Sequence, residues 1–207
     1  MPFLDISMER TRKAFETNLF GPMRLVQLLS PALIEARGLI INVSSASARV
    51  PYLFGSIYSS SKGALDTWTH ALRMELQPFH VRVMLSVTGT VHSETVLKGE
   101  LPKGSLYQEV EDVYQWRLAY SQNSSKTGTM PQEEFARRLV NEAMKGEGWL
   151  GGWFGATGRE FWCGGMTAKV WIITTLLPRS LLEWLTANHF NVPAMTKRIQ
   201  EARAKQA

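Results

Sequence analysis

Two short and almost uninterrupted apolar runs constrain this chain more than any other feature. Leu39-Ile40-Ile41-Asn42-Val43 follows Gly38, and Val81 to Val87 follows the breaker Pro78. Runs of this length, rich in β-branched residues, suit strands buried on both faces, as inside a parallel sheet. Between them, Tyr58 to Gln77 places Leu65, Trp68, Leu72 and Leu76 on one helical face. Ahead of them, Asp5 to about Glu35 carries Phe15, Leu19, Val26, Leu29 and Leu33 at helical spacing. Asp5 or Ser7 suits the cap of that helix, while Gly21–Pro22 and Ser30–Pro31 predict kinks or a break. Helix, strand, helix, strand with short connections predicts an α/β domain with right-handed parallel crossovers.

Beyond Gly89 the pattern loosens. Tyr107 to Tyr120 reads as helix, Asn123 to Thr129 as a polar loop, and Pro131 to Lys145 as helix with Pro131 in its first turn. Gly146 to Gly165 is rich in Gly and Trp, and Arg159 to Cys163 within it suits a short last strand. Thr167 to Leu185 reads as one apolar-to-amphipathic helix, and Thr196 to Ala207 as a polar tail.

Composition narrows the function classes. The 207 residues are 44% hydrophobic and 20% charged, as in an ordinary globular domain. A net charge of +5 suits anionic partners such as phosphorylated cofactors or lipid surfaces, and equally a plain solvated surface. No basic stripe interleaved with aromatics points to nucleic acid. The one cysteine, Cys163, allows no internal disulfide and is compatible with a reducing compartment. His70, His80, His92 and His189 lack metal-ligand spacing, so no metal is expected. Met1 to Leu4 does not read as a signal peptide. Val170 to Leu177 is far short of the roughly 20 apolar residues of a spanning helix.

The chemistry gathers around Tyr58-Ser59-Ser60-Ser61-Lys62. Spacing of four puts Tyr58 and Lys62 side by side on a helix. A phenol ordinarily titrates near 10, and a neighbouring ammonium favours the phenolate, so such a pair suits proton transfer in either direction. By itself the pair is a weak signal, since many surface helices carry one. Ser45, just past the strand ending at Val43, offers a hydroxyl to a carbonyl oxygen. Asn18, a polar residue between Phe15 and Leu19, suits holding a water that relays protons to Lys62.

These four residues, in this order and with Ile41-Asn42-Val43-Ser44-Ser45 and Thr17-Asn18-Leu19-Phe20-Gly21 around them, resemble the short-chain dehydrogenase/reductase family. The resemblance covers Pro2 to about Ser93 well and the remainder loosely. It implies Tyr58 as general acid or base and Lys62 as its partner and ribose ligand. Ser45, rather than Ser44, would hold the carbonyl oxygen, and Asn18 would support the proton relay. The family's Pro-Gly-x-Val-x-Thr along the nicotinamide matches Thr88-Gly89-Thr90-Val91-His92-Ser93, with Pro replaced by Thr and Thr by Ser. Gly89, Val91 and Ser93 are therefore the expected cofactor contacts beside Tyr58 and Lys62. The implied fold is the C-terminal part of a Rossmann-like, doubly wound parallel sheet.

The family's opening strand, Gly-rich turn and helix, which bind the dinucleotide phosphates, have no match here. The expectation is a chain lacking the first βαβ units: a piece of a longer enzyme, a short form, or a chain completed by another polypeptide. Residues 1–165 would form the partial catalytic domain and 166–207 a helical extension with the polar tail. Trp149, Trp153, Trp162, Trp171 and Trp184 crowd the C-terminal third. With Lys169 and Arg179 flanking Val170 to Leu177, they suit a helix lying on a membrane, or else a Trp-rich pocket or dimer surface. Gly164–Gly165 and Leu177-Pro178-Arg179 add a looser resemblance to a fungal branch, the NADPH-dependent 1-acyldihydroxyacetone-phosphate reductases. It implies NADPH, with NAD open, and a ketone or alcohol substrate of lipid or secondary metabolism. The expected place is cytoplasmic, with the endoplasmic reticulum or lipid-droplet surface open, and the wider family resemblance implies self-association through helices such as the one bearing Tyr58. The other reading is an incomplete member that binds a membrane or a partner chain.

Overall fold

The computed structural model describes residues 1–93, 99–123, 128–146, 148 and 156–206, with the backbone alone for 121–123 and 206. Its three strands, β1 (Leu39–Ser45), β2 (Arg82–Thr88) and β3 (Glu160–Cys163), form one parallel sheet in the order β1-β2-β3. Leu39 pairs with Arg82 and Ser45 with Thr88, so β1 and β2 end level. The shorter β3 pairs only with Leu85 to Thr88. Parallel pairing follows from the helical segments between the strands, which supply the length a crossover needs.

Val83 to Val87 of the central β2 are all buried. In β1, burial alternates: Ile40, Asn42 and Ser44 are buried and Val43 is exposed. The expected burial on both faces thus holds for β2 and fails for β1. β1 lies at the margin of the described sheet, where cover on its second face runs out.

The N-terminal helical segment is α1 (Met8–Phe15), a π-helical turn (Glu16–Phe20) and α2 (Gly21–Glu35). Ser7 caps it, its side chain accepting from the Arg10 N–H at 3.2 Å, while Asp5 lies in a preceding 3₁₀ turn. Neither proline breaks the helix. Gly21–Pro22 follows the π turn, and Pro31 sits inside α2. The Gln27 carbonyl, which Pro31 cannot serve, instead accepts from the Ser30 hydroxyl at 3.1 Å.

Helix α3 (Ser56–Leu76) crosses the sheet face. Its Leu72 joins Ile40, Val81 and Val83 in a core cluster, flanked by Val26, Leu33, Ile34, Trp68 and Leu76. Burial on this scale stabilises by about 1.5–3 kcal/mol per large apolar side chain. Buried Asn42 donates to the Thr69 hydroxyl at 2.9 Å, and Thr69 donates to the Leu65 carbonyl. That chain satisfies a polar residue inside β1 and sets the strand against α3.

The remaining helices are α4 (Glu111–Asn123), α5 (Gln132–Ala143), α6 (Thr167–Leu176), α7 (Arg179–His189) and α8 (Val192–Gln206). The single helix expected over Thr167 to Leu185 is two. Leu177 is extended (φ −99°, ψ 138°), the conformation that a following proline imposes, and Pro178 caps α7. Residues 196–206 of the expected polar tail belong to α8, which docks through buried Met195 just ahead of the tail and through Arg198, bonded to Asp112 at 2.8 Å. Pro131 is the N-cap of α5 rather than a member of its first turn. Trp149, Trp153 and residues 124–127 of the expected polar loop lie outside the described residues. Among the described residues no helix is long and apolar enough to cross a membrane.

Candidate active site

The carboxyl ends of β1 and β2 and the amino end of α3 meet at one cleft of about 860 Å³. The crevice beyond the carboxyl ends of parallel strands is where open α/β sheets place their ligands. Ser45 closes β1, its partner Thr88 closes β2, and both line the cleft with Gly89, Thr90 and Tyr58. α4, α6 and α7 wall its far side through Tyr114, Tyr120, Val170, Ile173 and Leu182, with Phe190 just past α7.

Tyr58 occupies the first turn of α3 and is about half exposed. Lys62, one turn on, lies with its Nζ 6.0 Å from the Tyr58 ring centroid and donates to the Val43 carbonyl at 2.8 Å. The ammonium is thus tied to the end of β1 and keeps two N–H groups for other partners. Burial lowers its pKa, with the nearby Asp66 carboxylate pulling the other way.

Ser45 accepts hydrogen bonds from the Ser47 N–H at 3.2 Å and the Ser47 hydroxyl at 2.9 Å. Ser47 serves as donor in both, so Ser45 keeps its own proton for a further acceptor. Ser44 is buried beside it and turned away, as alternation along a strand requires.

Asn18 sits in the π turn. Its side-chain amide donates to the Ser61 hydroxyl at 2.9 Å, and Ser61 donates to the Tyr58 carbonyl at 2.8 Å. One N–H of the amide is thus engaged with α3. The backbone offers a further acceptor. Pro22 has no N–H for the Asn18 carbonyl four residues before it, and the Gly21 N–H turns to Glu16.

Gly89 lines the cleft, and its N–H bonds the Cys163 carbonyl at 2.9 Å. A Cβ there would collide with the Gly165 carbonyl, so close approach of two backbones requires this glycine. Val91 is bridged to Met130, and neither Val91 nor Ser93 is among the residues lining the cleft.

An ionic cluster behind the cleft was not apparent from the sequence. Arg49, from the loop after β1, bonds Asp66 of α3 at 2.8 Å and Glu160 of β3 at 2.7 Å. Trp162 donates to Glu160 at 2.9 Å, and its ring lies against the Arg49 guanidinium, 5.5 Å from the ring centroid. Burial raises the Asp66 pKa despite Ser44 and Arg49. For Glu160, burial pushes upward, but Arg49, Trp162 and His70 outweigh it and hold the carboxyl below its ordinary value. The cluster fixes the Ser45–Ser47 loop relative to α3 and β3.

With this geometry in view, the sequence profile of the short chain dehydrogenase family matches residues 1–103. The chain is 32% identical over 199 residues to a short-chain dehydrogenase of Pyricularia oryzae, covering 93% of this chain and 65% of that one. It is 32% identical over 145 residues to the NADPH-dependent 1-acyldihydroxyacetone phosphate reductase of Saccharomyces cerevisiae, covering 69% of this chain and 48% of that one. A short chain dehydrogenase from Burkholderia cenocepacia, solved in complex with NADP, superposes with a TM-score of 0.61 at 25% identity, over 87% of this chain and 61% of that one. The chain thus spans less than two thirds of each of these proteins.

Proposed function

The chain belongs to the short-chain dehydrogenase/reductase family, and from that premise we propose that it carries the catalytic end of a nicotinamide-dependent ketone reductase. The observation that supports this most is the convergence of Ser45 and Tyr58 on one cleft, with Lys62 behind them. Ser45 donates its remaining proton to the substrate carbonyl oxygen. Tyr58 gives its phenolic proton to that oxygen as negative charge develops there. Lys62 stands one turn behind Tyr58 and offers its two spare N–H groups to sugar hydroxyls. The Asn18 carbonyl, released by Pro22, suits a water through which Tyr58 recovers a proton.

The donor set fits the nicotinamide end of a dinucleotide: two spare N–H groups on Lys62, and Thr88, Gly89 and Thr90 at the end of β2. Val91 and Ser93 belong to the same segment and are proposed as contacts through it. When bound, such a cofactor supplies the hydride that reaches the carbonyl carbon, so hydride and proton together make the alcohol. NADPH is favoured by the yeast relative, which is NADPH-dependent, and by the Burkholderia relative, which holds NADP. A lipid or secondary-metabolite ketone is favoured by the apolar and aromatic far wall of the cleft.

Tyr58→Phe tests the mechanism. Turnover of NADPH with a ketone panel should fall by a factor of about 100 or more while circular dichroism is unchanged. Undiminished turnover would reject Tyr58 as the proton donor.

A second reading rests on α6 and α7, where Trp171, Ile172, Leu176, Leu181 and Trp184 are exposed, with Lys169 and Arg179 nearby. We propose a peripheral contact with a lipid surface, such as the endoplasmic reticulum or a lipid droplet. Flotation with anionic vesicles should fail for Trp171→Ser/Trp184→Ser if this is right. Unchanged flotation would remove the lipid contact and leave the reductase untouched.

A further inference from the structure

Arg117 of α4 is 8% exposed and borders the cleft, with no ion pair to a carboxylate among the described residues. Its Nε donates to the Leu53 carbonyl at 3.0 Å, and its guanidinium lies 4.7 Å from the Tyr52 ring centroid. Its Nη2 sits 3.2 Å from where a Cβ on Gly55 would be, so the absence of a side chain there makes room for it. Gly55 is the N-cap of the helix whose first turn bears Tyr58. Buried guanidinium groups ordinarily lie against an anion, because an unpaired buried charge is costly. Burial accordingly lowers the Arg117 pKa, with Tyr52 and Tyr114 pulling it back.

The rest of the cleft has the same bias. Among its described lining residues there is no Asp, Glu or Lys, and Arg10 of α1 is a second guanidinium beside the Met1 amino group. The wall next to Arg117 is aromatic: Tyr52 meets Phe190 edge-on at 5.1 Å, and Tyr120 meets His189 at 5.3 Å. A planar fork of N–H donors set in aromatic surroundings suits a carboxylate or phosphate on an apolar body.

We propose that Arg117 is a specificity-determining residue that binds an oxyanion on the substrate, away from the reacting carbonyl. This rests on the proposed reading of the cleft as a substrate site. The ketone would then be an aryl or acyl carboxylate or phosphate rather than a neutral one. Arg10 adds charge at the same side. Arg117 stands against the loop between β1 and α3, whereas the expected nicotinamide contacts stand at the end of β2.

The probes are 6-acetyl-2-naphthoate, its methyl ester and 6-acetyl-2-naphthyl phosphate, titrated by calorimetry into the full chain without cofactor. The naphthoate or the phosphate should bind at least about tenfold tighter than the ester, as a charge-assisted contact implies, and the tighter of the two identifies the anion. Arg117→Met should remove that preference and leave ester affinity within about twofold. Arg117→Lys, which keeps the charge, should retain part of the preference. In the unmutated chain the Arg117 Nε–H resonance should shift with the anions and not with the ester, which needs no variant to fold. Tyr58→Phe should keep the anion preference even though turnover is lost, so failure of the reductase mechanism is distinguishable from failure of this assignment. Equal affinity for acid and ester, a preference surviving in Arg117→Met, no binding at millimolar concentration, or displacement of the anion by NADP⁺ would each overturn it.

Discussion

The tie between Asn18 and Ser61 couples the π turn to α3, the helix that bears Tyr58, and a double-mutant cycle measures it. Ser61 is fully buried, accepts from the Asn18 amide at 2.9 Å and donates to the Tyr58 carbonyl at 2.8 Å. Ser61→Ala removes the acceptor and leaves the amide of a half-buried Asn18 to whatever water reaches it. The lost hydrogen bond costs about 1 kcal/mol, and the stranded amide adds about 1 kcal/mol. Alanine's better helix propensity returns about 0.5 kcal/mol. The net expectation is a loss of about 1.5 kcal/mol, or roughly 3–6 °C in Tm for a chain of this size. Asn18→Ala removes the same bond from the other end, so the two losses should not add. The cycle, read by urea unfolding, should give a coupling energy of about 1 kcal/mol. A coupling below about 0.3 kcal/mol, the scatter of independent sites, would show that the bond does not tie the two segments.

Three further outcomes follow from the packing. Gly89→Ala should destabilise by about 1–3 kcal/mol or more, because the obstruction is the Gly165 backbone and not a movable side chain; thermal unfolding measures it. Leu85→Ala, at a fully buried position in the central strand, should cost about 2–5 kcal/mol in the same assay. Glu160 is held below its ordinary value of 4.5, so the folded state binds its proton less readily than the unfolded chain does. Its contribution to stability is full above that value and is lost as the pH falls through the lower folded one. Glu160→Gln should therefore flatten the acid limb of a stability–pH profile below about pH 4.5. An unchanged limb would show that other carboxylates govern it.

The most local features were legible in advance. The runs at Leu39 and Val81 became parallel neighbours, and Arg159 to Cys163 gave the third strand with a shift of one residue. Tyr58 and Lys62 lie on the same face of α3 because four residues make about one helical turn. The C-terminal helix was less legible. Periodicity ran across Leu177–Pro178 without showing that the residue before proline would extend and divide α6 from α7. The bond between Asn18 and Ser61 was not legible, because a polar residue on a helix face signals a partner without naming it.

What the sequence alone determined is therefore the set of elements and the order in which the chemical groups are mounted on them. Strand and helix periods, and the breakers between them, are properties of neighbours along the chain, and a short stretch suffices to express them. Tertiary structure decided the partners. Asn18 meets Ser61 across 43 residues, and Arg49 meets Glu160 across 111. Arg117 comes to rest on Tyr52 and beside Gly55 only because α4 folds back over the β1–α3 loop. Burial of a charge, and hence its need for a counter-ion, depends on what packs around it, and no local spacing records that.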